Sequence, residues 1–328
     1  MFEKLGVTVG WQGSTIEGID AIAVEADRLG FGYFWVPEAW GLEAFSVVSR
    51  ILTKTSHIRV GTGIVNVFSR SAALIGMSCA TLDQMAPGRF VLGLGSSGRS
   101  LVENWHSVEF SRPLKRTKEY VDAIRKVASG EQLESHGEAL RPLSKFQLFA
   151  KPMQQCLEIY LGAIGDDNLR LAGKICDGAI LAMYPSSRLI HALELLGGGS
   201  SDPKKLFTYL PTVVSKSAED IERGRKEIAK SVSFYINSMG EYYVKNLLRS
   251  GFENEVRHIL EAKGDQSSII DGEKLLSDLS LIGSPKVVTE TISEFPKNVI
   301  PVLGFGSKSK EEVHSAIDSM SLLSSEMG

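Results

Sequence analysis

Two short segments rich in glycine and serine are the parts of this sequence best suited to bind a phosphate or a planar cofactor. The first consists of Gly95, Ser96, Ser97 and Gly98. Such small residues let backbone amides and hydroxyl groups approach a ligand closely, although the glycines could equally serve a tight turn. The second consists of Gly162, Ala163, Ile164 and Gly165. It runs into Asp166 and Asp167, where a helix can begin, and free amides at a helix N-terminus bind anions. This second segment is the better candidate for a phosphate site, although the same aspartates could simply cap the helix.

His106 is a candidate for an acid-base group, because an imidazole titrates near neutral pH and can donate a proton to a substrate. It directly follows Trp105, and Arg112 and Arg116 come soon after it. A lone histidine beside a tryptophan is also common as a structural residue. The sequence leaves both roles open for His106.

Composition and charge argue against several classes of protein. The 328 residues include 36 Lys and Arg against 39 Asp and Glu, a formal charge of −3, and no basic run is long enough to follow a phosphate backbone. No apolar run reaches the roughly 18 residues of a membrane span, and the N-terminus lacks a leader pattern. The three scattered cysteines form no CxxC pair and have no histidine at metal-ligand spacing. We therefore expect a cytoplasmic protein without a metal site that binds neither nucleic acid nor membrane.

The segments described above follow short apolar runs that alternate with longer amphipathic stretches, the pattern of βα units around a parallel sheet. Eight strands are predicted, at residues 5–11, 33–37, 58–67, 90–95, 159–163, 178–182, 207–214 and 299–304. Several of them end in glycine or a polar residue, as barrel strands do where active-site loops begin. The sequence predicts an α/β fold, a (β/α)8 TIM barrel that fills residues 1–328 as a single domain.

Helices are predicted between these strands, at residues 16–29, 44–53, 72–85, 114–128, 167–175 and 311–323. Ser14, Ser71 and Asp166 are suited to cap three of them at the N-terminus. Two stretches, 130–152 and 217–284, are longer than a simple βα connection. The second is charged, and we predict that it forms a helical insertion or lid.

An open, doubly wound sheet is the alternative layout. Its dinucleotide-binding form needs a GxGxxG turn after the first strand and an acidic residue about 20 positions further on. The nearest match, from Gly93 to Gly98, follows the fourth predicted strand instead. A GxGxxG pattern by itself is weak evidence, so the closed barrel is favoured.

Three parts of the sequence resemble the luciferase-like superfamily, and most closely its coenzyme F420 branch, which includes methylenetetrahydromethanopterin reductase. They are FWVPEAWG at 34–41, RVGTGIVNVFSRS at 59–71 with TLDQMAPGRFVLGLGSSG at 81–98, and IYLGAIGDDNLRLAGKICDG at 159–178. The resemblance implies that the deazaflavin F420 lies at the C-terminal mouth of the barrel. Glu38 and Trp40 would border its ring, and a non-prolyl cis peptide bond at Asn66-Val67, at the end of the third strand, would press on it. The same resemblance puts the cofactor's phosphate at the segment from Gly162 to Gly165.

The activity that the resemblance implies is hydride transfer between F420 and a small or pterin-like substrate. Trp11 and Trp40 would act as walls, and Glu38 and His106 are the catalytic candidates. Two further functions stay open: an FMN-dependent monooxygenase of the same fold, and a barrel that has lost catalysis and only binds. The sugar-phosphate dehydrogenases of this branch carry a histidine where this chain has Ala39, so glucose-6-phosphate oxidation is an unfavoured reaction. Members of the family usually pair, so we expect a homodimer or a higher homo-oligomer.

Overall fold

Parallel strands closed into a barrel form the centre of the computed structural model, which describes residues 2–135, 137–140, 143–153, 155–197, 203–262 and 273–327. The strands of this part of the chain are β1 (Gly6–Val9), β2 (Tyr33–Val36), β3 (Arg59–Thr62), β4 (Val65–Asn66), β5 (Phe90–Gly95), β6 (Leu133–Ser135), β7 (Leu143–Phe146), β8 (Ile159–Gly162), β9 (Gly178–Ala182), β10 (Lys205–Val214), β11 (Leu281–Gly283) and β12 (Val299–Phe305). Around the barrel the order is β1, β2, β3, β5, β8, β9, β10 and β12, and β4 continues β3 after a break. Strand β12 pairs in parallel with β1, with Val7 opposite Leu303, and this pairing closes the barrel. The predicted (β/α)8 fold is confirmed.

Helices surround the barrel. They are α1 (Ile16–Arg28), α2 (Ala44–Lys54), α3 (Ala72–Met85), α4 (Pro113–Ser129), α5 (Asp166–Ile175), α6 (Leu189–Leu195), α7 (Ala218–Ser238), α8 (Glu241–Arg249), α9 (Glu253–Glu261), α10 (Glu273–Leu279), α11 (Pro285–Ser293) and α12 (Lys310–Met327). A short π-helical turn, Leu101–Trp105, follows β5. None of the helices in the described ranges is both long enough and apolar enough to cross a membrane.

Aromatic side chains fill the inside of the barrel. The rings of Tyr33, Trp35 and Tyr160 each lie 4.8 Å from the ring of Phe207, centroid to centroid. Below them, where the strands begin, Glu158 forms ion pairs with Arg59 and Lys205. Because rings and charges fill the described part of the barrel from the middle to its N-terminal end, the C-terminal end of the strands is the side suited to ligand entry.

The third predicted strand, 58–67, is broken in the structure. Thr62 takes over part of the pairing between β3 and β5, because its hydroxyl group donates to the carbonyl oxygen of Gly93 at 2.8 Å and accepts from the amide of Gly93 at 3.0 Å. A cis peptide bond follows, between Gly63 and Ile64. Its expected position at Asn66-Val67 was wrong by three residues, because the strand breaks directly after Thr62 and pairing resumes at Val65.

Two of the three predicted N-caps were also wrong. Thr15 rather than Ser14 caps α1, because Ser14 is held in the loop by a hydrogen bond from Ser307. Gly165 rather than Asp166 is the N-cap of α5, which begins one residue earlier than predicted. Ser71 caps α3 as predicted and accepts a hydrogen bond from the amide of Leu74 at 3.1 Å.

The described parts of the long segment 217–284 contain helices α7 to α10 and strand β11, which extends the edge of β10. These helices have a hydrophobic core of their own, which includes Val232, Ile236, Leu247, Val256 and Leu276. The shorter stretch, 130–152, contains β6 and β7, which pair as an antiparallel hairpin that the sequence analysis missed. Residues 136, 141–142 and 263–272 of these two stretches lie outside the described part of the chain.

Candidate active site

A large cavity of ≈ 3390 Å³ lies at the C-terminal ends of the barrel strands. The loops after β1, β2, β5, β8, β9, β10 and β12 contribute to its wall, and helices α7 and α8 of the insertion line another side. The turn between these two helices comes close to the loop after β5, because the carbonyl oxygen of Met239 lies 4.0 Å from where a Cβ on Gly98 would be. The insertion therefore reaches across the mouth of the barrel.

Most of the residues that the sequence predicted to contact a cofactor line this cavity. They are Trp40, Gly95, Ser96, Ser97, Gly98, Gly162, Ala163, Ile164 and Gly165, together with Glu38. Strands β5 and β8, which carry the two glycine-rich segments, are neighbours in the barrel, with Leu92 opposite Ile159. Segments about 70 residues apart in sequence thus form one continuous surface at the mouth.

The glycines on this surface are of two kinds. Gly95 and Gly162 pack against Ile64, whose side-chain atoms lie 3.1 Å and 3.3 Å from where their Cβ atoms would be. Gly98 and Gly165 differ from these two. A Cβ on Gly165 would meet nothing within 4 Å, and a Cβ on Gly98 would meet only the carbonyl oxygen of Met239 at 4.0 Å. Neither glycine has a positive φ. Packing and backbone conformation leave the choice of glycine at these two positions unexplained, whereas the approach of a ligand to the backbone explains it.

The N-terminus of α5 opens into the same cavity. Its N-cap, Gly165, provides no side chain to the amides of the first turn. The carboxylate of Asp167 is paired with Arg170 at 3.2 Å, and that of Asp166 lies 3.4 Å from His191. The Arg170 cation beside Asp167 therefore reduces the opposition of that carboxylate to an anion at this helix end.

Glu38 lies at the edge of the cavity with its carboxylate already occupied. Both of its oxygens accept hydrogen bonds from Arg70, at 2.6 Å and 2.7 Å, and one also accepts from the amide of Ala44. Arg70 also pairs with Glu43, the N-cap of α2. Burial works to lower the pKa of Arg70, but the hydrogen bond to Glu38 and the charges of Glu38 and Glu43 outweigh it and raise that pKa. The geometry suits an ion pair that fixes the loop after β2.

Asn66, Val67 and His106 are absent from the lining of the cavity in the described part of the chain. Asn66 and Val67 are buried, and the Asn66 side-chain oxygen accepts hydrogen bonds from the amides of Phe68 and Ser69. Its Nδ2 atom faces Nε2 of His106 at 3.4 Å. The three residues therefore lie close together beside the site. Asn66 holds the turn after β4, and His106 contacts Asn66 from a later segment of the chain.

Sequence reasoning missed many residues of the cavity wall, among them Ile64, Tyr235 and Tyr243. Ile64 forms the surface between the two glycine-rich segments, and Tyr235 and Tyr243 come from the insertion. Tyr235 accepts a hydrogen bond from the indole of Trp11, 224 positions earlier in the chain, at 3.1 Å. A contact between residues so far apart leaves no local pattern in the sequence. No group of His, Cys, Asp or Glu side chains suited to a metal ion exists among the described residues.

Comparisons with known proteins give a consistent result. A family model described as luciferase-like monooxygenase matches residues 4–299. The chain is 25% identical to a putative coenzyme F420-dependent oxidoreductase of Mycobacterium tuberculosis, over 94% of this chain and 96% of that protein. It is 27% identical to the 5,10-methylenetetrahydromethanopterin reductase of Archaeoglobus fulgidus, over 86% of this chain and 87% of the relative.

A solved structure is similar over the whole chain. The coenzyme F420-dependent tetrahydromethanopterin reductase of Methanopyrus kandleri superposes with a TM-score of 0.82 and 20% sequence identity, over 99% of each chain. At that identity the likeness concerns the fold. It agrees with the strand order and the closure of the barrel described above.

Proposed function

Because this chain belongs to the luciferase-like monooxygenase family, we propose that it is an oxidoreductase that transfers a hydride between coenzyme F420 and a small or pterin-like substrate. Two relatives similar over most of their length are named for F420 or for methylenetetrahydromethanopterin, which supports this choice within the family. The observation that carries the proposal is the pair of open glycines, Gly98 and Gly165, at the ends of neighbouring strands.

The residues of the mouth fit a deazaflavin that carries a phosphate. The amides in the first turn of α5, next to Gly165, would hold the phosphate, since no side chain caps them. The loop from Gly95 to Gly98 would lie along the cofactor, with Ser96 and Ser97 as hydrogen-bonding groups, and Ile64 would provide an apolar surface. When bound, the deazaflavin supplies the carbon that accepts or donates the hydride.

Positioning is the main task of the protein's own residues in this proposal. Helices α7 and α8 would exclude water from the mouth, which is the lid role expected for the insertion. The Glu38 carboxylate would hold Arg70 and the loop after β2, rather than exchange a proton, because Arg70 and an amide already occupy both of its oxygens. His106 would support the turn at Asn66 from outside the cavity.

We also propose that the protein works as a cytoplasmic homodimer. The apolar side chains of Leu74 and Met77 on α3 are each 49% exposed, and Met85 on the same helix is 45% exposed. An exposed apolar helix face of this kind supports pairing with a second copy. Sedimentation of the purified protein as a monomer at micromolar concentration would contradict the dimer.

The cofactor is tested by titrating the purified protein separately with F420 and with FMN and following the quenching of their fluorescence. We expect F420 to bind more tightly, and Gly165→Val to weaken its binding by roughly 10-fold to 100-fold, the effect of losing hydrogen bonds to a charged group. A Cβ at position 165 has open space around it, so the variant should keep its fold.

The matched control is Ser56→Val, which adds the same side chain at an exposed position near the opposite end of the barrel. This control should bind F420 like the wild type. Tighter binding of FMN would favour a monooxygenase, and binding of neither cofactor would favour a barrel without catalysis. Equal affinity of the Gly165→Val variant and the wild type for F420 would show that the phosphate lies elsewhere.

A further inference from the structure

Four aromatic side chains form one side of the cavity, and we refer to them as the aromatic wall. They are Trp11 after β1, Trp40 after β2, Tyr235 on α7 and Tyr243 on α8. The two indoles meet edge to face with ring centroids 4.2 Å apart, and the two phenol rings do the same at 5.3 Å. The wall thus connects the loops after β1 and β2, at the mouth of the barrel, to helices α7 and α8 of the insertion.

The position of the wall is fixed at several points. The indole N–H of Trp11 donates a hydrogen bond to the hydroxyl oxygen of Tyr235 at 3.1 Å. A Cβ on Gly41 would lie only 2.6 Å from the carbonyl oxygen of Trp11, so a glycine is needed there for the loop after β2 to pack on the loop after β1. Trp40 nevertheless remains 42% exposed. A large ring that is held in place and left open to a cavity is suited to stack on a ligand.

The two indoles of the wall lie across the mouth from the segment Gly162 to Gly165. In the order of strands around the barrel, β1 is opposite β8 and β2 is opposite β9. Trp11 and the segment from Gly162 to Gly165 therefore extend from opposite sides of the barrel. A second molecule bound between them would have the glycine-rich surface on one side and the aromatic wall on the other.

The hydroxyl group of Tyr235 adds a polar feature to this apolar surface. It accepts from Trp11, and its own proton has no acceptor among the residues that the structure describes. Burial raises the pKa of Tyr235 and the hydrogen bond from Trp11 only partly opposes this, so the group stays protonated. The wall therefore offers one free hydrogen-bond donor next to its aromatic rings.

We propose that the aromatic wall is the substrate subsite, and that it binds a planar conjugated ring whose edge carries a carbonyl oxygen or a ring nitrogen. The ring stacks on Trp40, and the acceptor atom receives a hydrogen bond from Tyr235. This inference rests on the proposed hydride transfer, since it assigns the wall to the substrate and not to the cofactor. It moves Trp40 from the cofactor side of the site, where the sequence placed it, to the substrate side.

The test uses two planar probes of similar size, 1,4-naphthoquinone and naphthalene, of which only the first has acceptor atoms. Their binding to protein loaded with oxidised F420 is measured by equilibrium dialysis, so that no turnover intervenes. Trp40→Ala should weaken the binding of both probes about tenfold, because both lose the stacking surface. Tyr235→Phe should weaken only naphthoquinone, by about fivefold, because the ring remains and one hydrogen bond is lost.

Trp105→Ala is the matched control, because Trp105 lines the same cavity, is 62% exposed and lies outside the wall. It should leave both affinities unchanged. The proposal is overturned if Trp105→Ala and Trp40→Ala have equal effects, or if Tyr235→Phe changes both probes alike or neither. A loss of F420 affinity in Trp40→Ala also overturns it, because the wall would then belong to the cofactor.

A failure of the proposed hydride transfer gives a different result from a failure of the proposed subsite. If the wild-type protein binds no F420, hydride transfer from this cofactor is refuted. The same dialysis on the protein without cofactor then still decides whether the wall binds a planar ring with an acceptor. If F420 binds and the wall variants bind both probes like the wild type, only the subsite is refuted.

Discussion

The substitution Glu38→Gln separates a structural role of this carboxylate from a catalytic one. The Glu38 side chain is 9% exposed and that of Arg70 is 14% exposed, so the pair is largely shielded from water. Removing one partner of a buried pair costs about 3–5 kcal/mol. Glutamine keeps one acceptor oxygen, and Arg70 keeps its contact with Glu43, so we expect a smaller loss, about 2 kcal/mol. In a chain of 328 residues this corresponds to a fall of about 3 °C in Tm.

Urea denaturation measures the loss of stability, and the oxidation of reduced F420 by 1,4-naphthoquinone measures turnover. The control is Glu241→Gln, which removes the same charge from an ion pair with Lys245 in which both side chains are more than half exposed. This control should keep the stability of the wild type, because water screens an exposed ion pair. For Glu38→Gln we expect kcat to stay within about threefold of the wild type, whereas the loss of a general acid or base lowers kcat by about 100-fold or more. Unchanged stability together with such a fall in kcat would refute the structural role.

Two further predictions concern the interior of the barrel. Burial works to raise the pKa of Glu158, but hydrogen bonds from Arg59 and Tyr160 and the charges of Arg59 and Lys205 lower it to about 2, from an ordinary value of 4.5. The ionised form therefore stabilises the folded state above pH 4.5, and this contribution fades as the pH falls towards 2, so Glu158→Gln should cost about 1–2 kcal/mol at pH 7 and converge with the wild type in acid. A constant difference across this pH range in urea denaturation would contradict the assignment. Gly63→Ala should lose about 1–3 kcal/mol, because its Cβ would lie 2.1 Å from the hydroxyl oxygen of Tyr209. Tyr209→Phe should restore most of that loss, since this hydroxyl has no hydrogen-bond partner among the described residues, and equal losses with and without it would disprove the clash.

The barrel was predictable because its strands are covered on both faces. Such strands appear in the sequence as nearly continuous apolar runs, and all eight runs proved to be barrel strands. The break after Thr62 was not predictable, because a threonine hydroxyl replaces strand pairing there through contacts with Gly93, about 30 residues away. The hairpin of β6 and β7 was missed because Lys145 and Phe146 of β7 are exposed, unlike the residues of the barrel strands.

The parts of the site that are formed by the backbone were predictable from the sequence. The segments after β5 and β8 carry glycines, and both line the cavity. Side-chain roles were harder to predict, because they depend on partners that the fold brings in from elsewhere. Arg70 occupies the carboxylate of Glu38, and His106 faces Asn66 outside the cavity lining. Residue type alone suggested acid-base chemistry for both, and the partners indicate a supporting role.

The glycines at the mouth differ in what a side chain added to them would contact. In the sequence, Gly162 and Gly165 look equivalent, since they frame the same short segment after β8. In the structure, a side chain on Gly162 would press on Ile64 at 3.3 Å, whereas a side chain on Gly165 would enter open space. A valine at 162 would therefore disturb packing and could abolish binding without touching a cofactor. A valine at 165 obstructs only what lies in the cavity, so a loss of F420 binding in that variant can be assigned to the ligand site itself.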